Sequence, residues 1–147
     1  MKILIVESRF YSEISDQLLL GAKKVLDAEN ISYEIVSVPG ALEIPQAINI
    51  IINQQIPSNK KIEYDGFIAL GCVIRGETSH YDYVCSESMY WVNYLSIKNN
   101  LCIGNGILTC ENIEQAYKRA HIEKGNKGGS AAKASLALIN IKNDCRM

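Results

Sequence analysis

The sequence predicts an α/β protein, a three-layer sandwich with a four-stranded parallel sheet between two layers of helices. Four apolar stretches of strand length alternate with stretches of helical length,. The strand-like stretches are apolar almost throughout, which is typical of parallel strands that are buried on both faces. The 147 residues are the size of one domain,, and we expect residues 1–147 to form a single domain.

The predicted elements follow the chain in the order βαβαβαβαα. Ser12 and Asn112 precede apolar residues at helical spacing, and we expect both to cap helices, because their side-chain oxygens can accept hydrogen bonds from free N–H groups,. We expect Gly104-Asn105-Gly106 to interrupt the last strand and residues 57–61 to form a turn-rich, basic connection,. The predicted bounds are strands at 2–6, 31–38, 66–74 and 101–108, and helices at 12–29, 43–55, 82–98, 112–120 and 129–141. This order favours a doubly wound, flavodoxin-like sheet with the loops after all four strands at one edge.

Composition excludes several classes of function. The chain has 15 basic and 16 acidic residues and a net charge of -1, so it lacks the positive patch that nucleic acid or an anionic membrane surface would need,. No apolar run has the length of a membrane span, and the N-terminal strand is too short for a signal peptide,. The five cysteines are odd in number and form no Cys-x-x-Cys pair, which indicates a reduced, cytoplasmic protein without a metal site,.

The chemistry is expected where the third strand ends. The apolar strand 66–74 is followed by the polar loop 75–79 and then by a helix, and open α/β sheets bind their ligands at such strand ends,. His80 lies just beyond the loop, where a neutral imidazole can take up and return protons near pH 7,. Asp82 could orient that imidazole. The alternative is that His80 is an ordinary surface or capping residue.

The same region offers groups for an anion. Residues 76–79 combine a glycine, two hydroxyls and the positive end of a helix, which together favour a phosphate, although an ordinary capping turn has the same composition,. Arg119 and Lys127 are further candidates, and the alternative for each is a solvated charge,. No nucleotide-binding glycine motif is present, so ATP and NAD are not expected,. A nucleophile pair of Cys85 and His80 is disfavoured, because a spacing of five residues fits one helix face poorly,.

The helix at 82–98 has more apolar and aromatic surface than one core-facing stripe needs. A subunit interface would account for the surplus, and deep burial within the domain is the alternative. The residues concerned are Tyr83, Val84, Met89, Tyr90, Trp91, Val92, Tyr94, Leu95 and Ile97.

Several stretches, in order along essentially the whole chain, together resemble the 6,7-dimethyl-8-ribityllumazine synthases of riboflavin biosynthesis. The matching segments are Arg9-Phe10-Tyr11, Val38 to Pro45, Leu70 to Val84, Gly106 to Thr109, Glu111 to Ala116, and Gly125 to Gly128. This resemblance implies the penultimate step of that pathway, in which 5-amino-6-(D-ribitylamino)uracil and 3,4-dihydroxy-2-butanone 4-phosphate condense. Phosphate is lost, a ring closes and water leaves, without a metal or an organic cofactor.

The resemblance also implies a role for individual residues. Phe10 is expected to stack on the pyrimidine ring and His80 to be the acid–base catalyst. The expected contacts of the ribityl chain and nearby polar groups are Ala41, Leu42 and Glu43, and those of the ring are Cys72, Val73 and Ile74, largely through their backbone. The expected contacts of the butanone phosphate are Glu77, Thr78 and Arg119, with Lys127 nearby.

The family forms its site between neighbouring subunits of a pentamer, and the helix 82–98 is expected to bring the Phe10 side of a second subunit to the site. Asn105 stands where many members have an aromatic residue over the uracil, so here the backbone around it is expected to contact substrate. Loop 121–125 reads His-Ile-Glu-Lys-Gly where shell-forming members tend to have Gly-Thr-Lys-Ala-Gly, and we expect no N-terminal arm before the first strand. Both features favour a free pentamer over a sixty-subunit shell.

Two other functions fit the same fold. An archaeal-type riboflavin synthase would dismute two lumazines, but the loop before His80 and the position of Arg119 argue against it. A non-catalytic carrier of flavins or lumazines would bind ribityl pteridines without releasing phosphate, and the intact loop from Arg75 to His80 disfavours this reading.

Overall fold

The computed structural model describes residues 1–55 and 62–145, and the predicted connection at 57–61 lies outside the described residues. The order of elements within the described ranges is the predicted one. The strands are β1 (Lys2–Ser8), β2 (Ser32–Val38), β3 (Gly66–Ile74) and β4 (Ile103–Cys110), and the helices are α1 (Ser12–Ala28), α2 (Glu43–Gln55), α3 (His80–Asn99), α4 (Ile113–Ala120) and α5 (Lys127–Asp144).

The four strands form one parallel sheet in the order β2-β1-β3-β4. Helices α1, α4 and α5 pack on one face through a core that includes Leu18, Ala116 and Ala132, and α2 and α3 pack on the other through Ile48 and Val92. This arrangement confirms the three-layer, flavodoxin-like sandwich. Because all strands run the same way, the ends of β1, β2, β3 and β4 and the loops that follow them lie at one edge of the sheet.

The fourth strand differs from its prediction in bounds and in continuity. It begins two residues later than expected, and Gly104, Asn105 and Gly106 all pair with β3 rather than interrupting the strand. The glycines serve packing: a Cβ at Gly104 would lie 1.8 Å from the carbonyl oxygen of Ala131 in α5. Glycine is present here because the helix backbone lies directly on the strand.

Helix starts also differ in detail. Tyr11, not Ser12, is the N-cap of α1, and it makes no side-chain capping bond. The prediction for α4 is confirmed, since the Asn112 Oδ1 atom accepts a hydrogen bond from the Gln115 N–H at 2.9 Å. Helix α5 begins two residues earlier than predicted, after Asn126, whose backbone is left-handed with φ of 44°.

Helix α3 begins at His80 and carries apolar side chains around its whole circumference. Val92 and Leu95 face the core, whereas Ile97 is 83% exposed in the isolated chain. Tyr90, Trp91 and Tyr94 form one exposed aromatic cluster with ring centroids 5.2 to 6.1 Å apart. None of the helices in the described ranges is long and apolar enough to cross a membrane.

Candidate active site

A cavity of about 400 Å³ opens at the edge of the sheet where β1, β2 and β3 end. Its volume is in the range of small-molecule sites. The loop after β1 contributes Phe10 and Tyr11. The remaining lining residues are Pro39, Gly40, Ala41, Leu42 and Glu43 after β2, Cys72, Val73 and Ile74 at the end of β3, and Gly76, Thr78, His80, Tyr81 and Val84 in the following loop and first turns of α3.

The loop after β1 presents an aromatic ring to the cavity. Phe10 is 71% exposed and meets the ring of Tyr11 edge-on, with centroids 4.9 Å apart. The loop is held by Arg9, whose guanidinium pairs with the buried carboxylate of Glu7 at 3.1 Å and with Asp16. An open aromatic face on a fixed loop is suited to stacking on a planar ring.

The loop after β2 provides the start of a helix. Helix α2 begins at Glu43, and the Glu43 N–H donates to the carbonyl of Gly40 at 3.2 Å. The Ile44 N–H likewise donates to the Ala41 carbonyl at 3.3 Å, and Pro45 has no N–H, so the polar group that Glu43 offers to a ligand is its side-chain carboxylate,. Ala41 is buried, and Leu42 contributes an apolar side chain to the wall.

The end of β3 forms an apolar wall. Cys72, Val73 and Ile74 alternate between the two faces of the sheet, and the strand ends at the cavity. Burial raises the pKa of the Cys72 thiol to about 12, so it stays neutral at physiological pH,. It therefore acts as a small apolar side chain, and burial likewise raises the pKa of Cys85,.

The loop before α3 places His80 at the first position of the helix. The Thr78 Oγ1 atom accepts a hydrogen bond from the His80 backbone N–H at 3.3 Å. Thr78 and Gly76 line the cavity next to this helix end, where the helix dipole favours a negative charge,. The Asp82 carboxylate pairs with Arg75 at 3.1 Å instead of with the imidazole, so the expectation that Asp82 orients His80 does not hold within one chain.

Nine of the predicted residues line this cavity, and four lie outside it within the described part of the chain. Glu77 is exposed on the loop between two lining residues. Asn105 lies within β4, where its amide contacts the Met89 sulfur of α3 at 3.2 Å. Arg119 donates to the Gln115 carbonyl at 3.1 Å on α4, and Lys127 is the first residue of α5.

The lining of the cavity differs from the prediction in two respects. Phe10 and His80 line the same cavity of one chain, so a second subunit is not needed to bring Phe10 to it. Tyr11, Pro39, Gly40, Tyr81 and Val84 also line it, although no site role was predicted for them. Helical spacing predicts Val84, four positions after His80, but it does not predict Tyr81, because adjacent residues of a helix do not face the same side.

The fold and the cavity together define a flavodoxin-like α/β protein with a small-molecule site, of the kind enzymes use, at the carboxyl edge of its sheet,. The family model of 6,7-dimethyl-8-ribityllumazine synthase matches residues 1–143. The chain belongs to this family, which confirms the resemblance seen in the sequence.

Curated relatives cover nearly the whole chain. The chain is similar to 6,7-dimethyl-8-ribityllumazine synthase 1 of Rhizobium meliloti (strain 1021), with 52% identity over 95% of this chain and 90% of that protein. It is similar to the 6,7-dimethyl-8-ribityllumazine synthase of Bartonella henselae (strain ATCC 49882 / DSM 28221 / CCUG 30454 / Houston 1), with 51% identity over 97% of this chain and 88% of that protein. The protein of that name from Afipia carboxidovorans (strain ATCC 49405 / DSM 1227 / KCTC 32145 / OM5) is 49% identical over 96% of this chain and 85% of its own length.

Proposed function

We propose that this protein is a transferase that condenses 5-amino-6-(D-ribitylamino)uracil with 3,4-dihydroxy-2-butanone 4-phosphate to 6,7-dimethyl-8-ribityllumazine, releasing phosphate and water. The observation that carries the proposal is the cavity in which an aromatic ring, an apolar strand end, a helix start and a histidine meet. Family membership supports the same reaction. Neither a metal nor an organic cofactor is required, because amine–ketone condensation needs only positioned proton transfers.

The uracil substrate occupies the inner part of the cavity in this proposal. Phe10 stacks on the pyrimidine. The end of β3 contacts the edge of the ring through backbone groups and apolar side chains of Cys72, Val73 and Ile74. The corner formed by Ala41, Leu42 and Glu43 receives the ribityl chain, because the Glu43 carboxylate can accept hydrogen bonds from its hydroxyls,.

His80 moves protons between the reacting groups. The uracil amine attacks the ketone, and loss of water gives an imine, which needs a proton on the leaving oxygen and removal of one from nitrogen. Abstraction of the carbon-bound proton next to the imine then expels phosphate and leaves an enol, which takes up a proton on its terminal carbon to give a ketone. The ribityl-bearing nitrogen attacks this ketone and closes the ring with loss of a second water. An imidazole at the cavity wall can accept and return each of these protons near neutral pH,.

The phosphate of the butanone lies at the start of α3, where Thr78 and the helix dipole favour an anion,. Glu77, Arg119 and Lys127 are proposed as further contacts. Arg119 and Lys127 lie outside the cavity of their own chain, as does Asn105, whose backbone we propose to contact the uracil. These residues can contact substrate if neighbouring subunits bring them to the cavity.

We propose a homo-oligomer, and within that a pentamer rather than a sixty-subunit shell. The exposed aromatic cluster on α3 and a second cavity of about 520 Å³ between α2 and α3 support extensive subunit contact,. The unusual loop 121–125 supports the smaller assembly. Sedimentation of the purified protein distinguishes the two. The five free thiols support a cytoplasmic location,.

Mixing the purified protein with both substrates tests the reaction. We expect the absorbance of the lumazine to appear together with one inorganic phosphate per turnover. Conversion of added lumazine to riboflavin, without use of the two substrates, would identify a riboflavin synthase instead. Tight binding of lumazine without phosphate release would identify a carrier.

A further inference from the structure

We propose that Arg75 is a positioning residue, which fixes the loop 76–79 and the start of α3, and with them His80, against the start of α4. The inference rests on the proposed function, because it concerns residues assigned to that reaction. Arg75 is not among the described residues that line the cavity. It acts through the groups that do line it.

The Arg75 side chain bridges two elements on either side of the loop. Its Nη2 and Nη1 atoms lie 3.1 and 3.3 Å from the two carboxylate oxygens of Asp82, in the first turn of α3. Its Nε atom lies 2.8 Å from the carboxylate of Glu111, which precedes α4. The planar arginine fork can hold two carboxylates in fixed directions, which an ammonium group on a flexible stem cannot.

The same guanidinium supports the cavity wall from behind. It lies over the ring of Tyr81, with 4.3 Å between the guanidinium carbon and the ring centroid. Tyr81 lines the cavity and follows His80 directly. The Arg75 backbone N–H is itself fixed by the carbonyl of Cys110 at 3.0 Å, so the side chain extends from a point anchored in the sheet.

The loop itself also makes short-range hydrogen bonds, from the His80 N–H to Thr78 and from the Asp82 N–H to the Ser79 carbonyl at 3.0 Å. Every residue from 75 to 80 is exposed, and a Cβ added at Gly76 would meet nothing within 4 Å. Isolated surface ion pairs contribute little, but a bidentate arginine within a network is the geometry in which they matter. A loop that must present Thr78 and His80 together therefore depends on the Arg75 network, defined as Arg75 with its partners Asp82, Glu111 and Tyr81.

The opposite edge of the sheet provides a matched control. Lys2 pairs there with the carboxylates of Glu34 and Glu63, and its ammonium lies 5.1 Å from the centroid of the Tyr64 ring. This cluster has the same composition as the Arg75 network, one cation with two carboxylates and a tyrosine, but it lies at the amino ends of the strands. Its loss should affect stability without affecting the loop.

The experiment compares Arg75→Met, Arg75→Lys and Lys2→Met with the unaltered protein at one protomer concentration. For Arg75→Met we expect kcat to fall about tenfold to a hundredfold, the scale of small misplacements of reacting groups. Amide hydrogen exchange in residues 76–84 should become faster. Arg75→Lys should recover part of kcat, and Lys2→Met should keep the original kcat and the original exchange in 76–84.

Several outcomes would overturn the proposal. One is a kcat for Arg75→Met equal to that of Lys2→Met, and another is an unchanged kcat with only the KM for the butanone phosphate raised, which would mean that Arg75 contacts substrate. If the unaltered protein forms no lumazine, the proposed function is wrong. The role of Arg75 is then tested by hydrogen exchange alone, and exchange in residues 76–84 that is the same in Arg75→Met and the unaltered protein would refute that role. If Arg75→Met does not fold, the double variant Asp82→Asn with Glu111→Gln replaces it, with the same expectations.

Discussion

A single methyl group at Gly104 should separate α5 from the sheet. In Gly104→Ala the new Cβ would lie 1.8 Å from the carbonyl oxygen and 2.8 Å from the carbonyl carbon of Ala131, and 3.1 Å from the Ser135 nitrogen. Carbon–oxygen contacts normally begin at about 3.3 Å, so the helix has to withdraw by roughly 1.5 Å. Relief by a side-chain rotation is impossible, because all three atoms belong to the helix backbone.

The cost follows from what the helix would lose. Overpacking a core typically costs about 1–3 kcal/mol, and we expect the upper end, about 3 kcal/mol, because the contact is with backbone. The buried hydrogen bond from the Ser135 hydroxyl to the Cys102 carbonyl, 2.9 Å long, spans the same interface and would be stretched. For a chain of this size, a loss of about 3 kcal/mol lowers Tm by roughly 6–12 °C.

Urea unfolding followed by circular dichroism measures the effect. The protomer concentration is held constant, since subunit association contributes to the apparent stability. Gly76→Ala is the control, because its Cβ would meet nothing within 4 Å, and its unfolding midpoint should equal that of the unaltered protein. A free energy of unfolding for Gly104→Ala within about 0.5 kcal/mol of the original, the usual range of surface substitutions, would refute the proposed packing.

Three further predictions concern the site. His80→Ala should slow turnover by roughly a hundredfold without abolishing it, because one acid–base group contributes on that scale while proximity remains; an unchanged kcat would contradict the role. Arg119→Ala should mainly raise the KM for the butanone phosphate, and steady-state assays that show an effect on the uracil substrate alone would rule out the phosphate contact. Burial raises the pKa of Cys72 to about 12, so the thiolate form of Cys72 is scarce at pH 8 and grows as the pH rises toward 12,. Mass spectrometry after iodoacetamide treatment at pH 8 should therefore find the exposed Cys145 modified first. Faster modification of Cys72 would contradict this prediction.

Most of the fold could be predicted because its signals are local. Residues close in sequence form the apolar stretches of β1 and β3 and set the 3.6-residue spacing of the helices,. The predicted order of elements is the observed one. The incorrect predictions occur where a contact with a residue distant in sequence determines the local structure. Gly104-Asn105-Gly106 has the composition of a break, but the strand continues through it, because the glycines make room for α5.

The site was predictable to the extent that it is built from contiguous segments. The loops that carry Phe10, the residues 41–43 and His80 meet in one cavity because parallel strands end at one edge,. The ion pair of Asp82 with Arg75 was not predictable from sequence. It depends on the position of the Arg75 guanidinium, which also contacts the Tyr81 ring and the carboxylate of the distant residue Glu111. Helical spacing from His80 predicts Val84 as a lining residue, but Tyr81, the next residue along the helix, does not follow from it,.

The sequence by itself determined the fold class, the family and the segments that carry the chemistry, because apolar periodicity and long motifs are written in the order of residues. The tertiary structure decided which side chains share a cavity and which do not. Phe10 and His80 are seventy residues apart in sequence yet line one space, whereas Asn105 and Lys127 face elsewhere on the same chain. Such proximity depends on the packing of helices on the sheet, where contacts such as that of the Ala131 carbonyl with Gly104 limit how close two layers can come,.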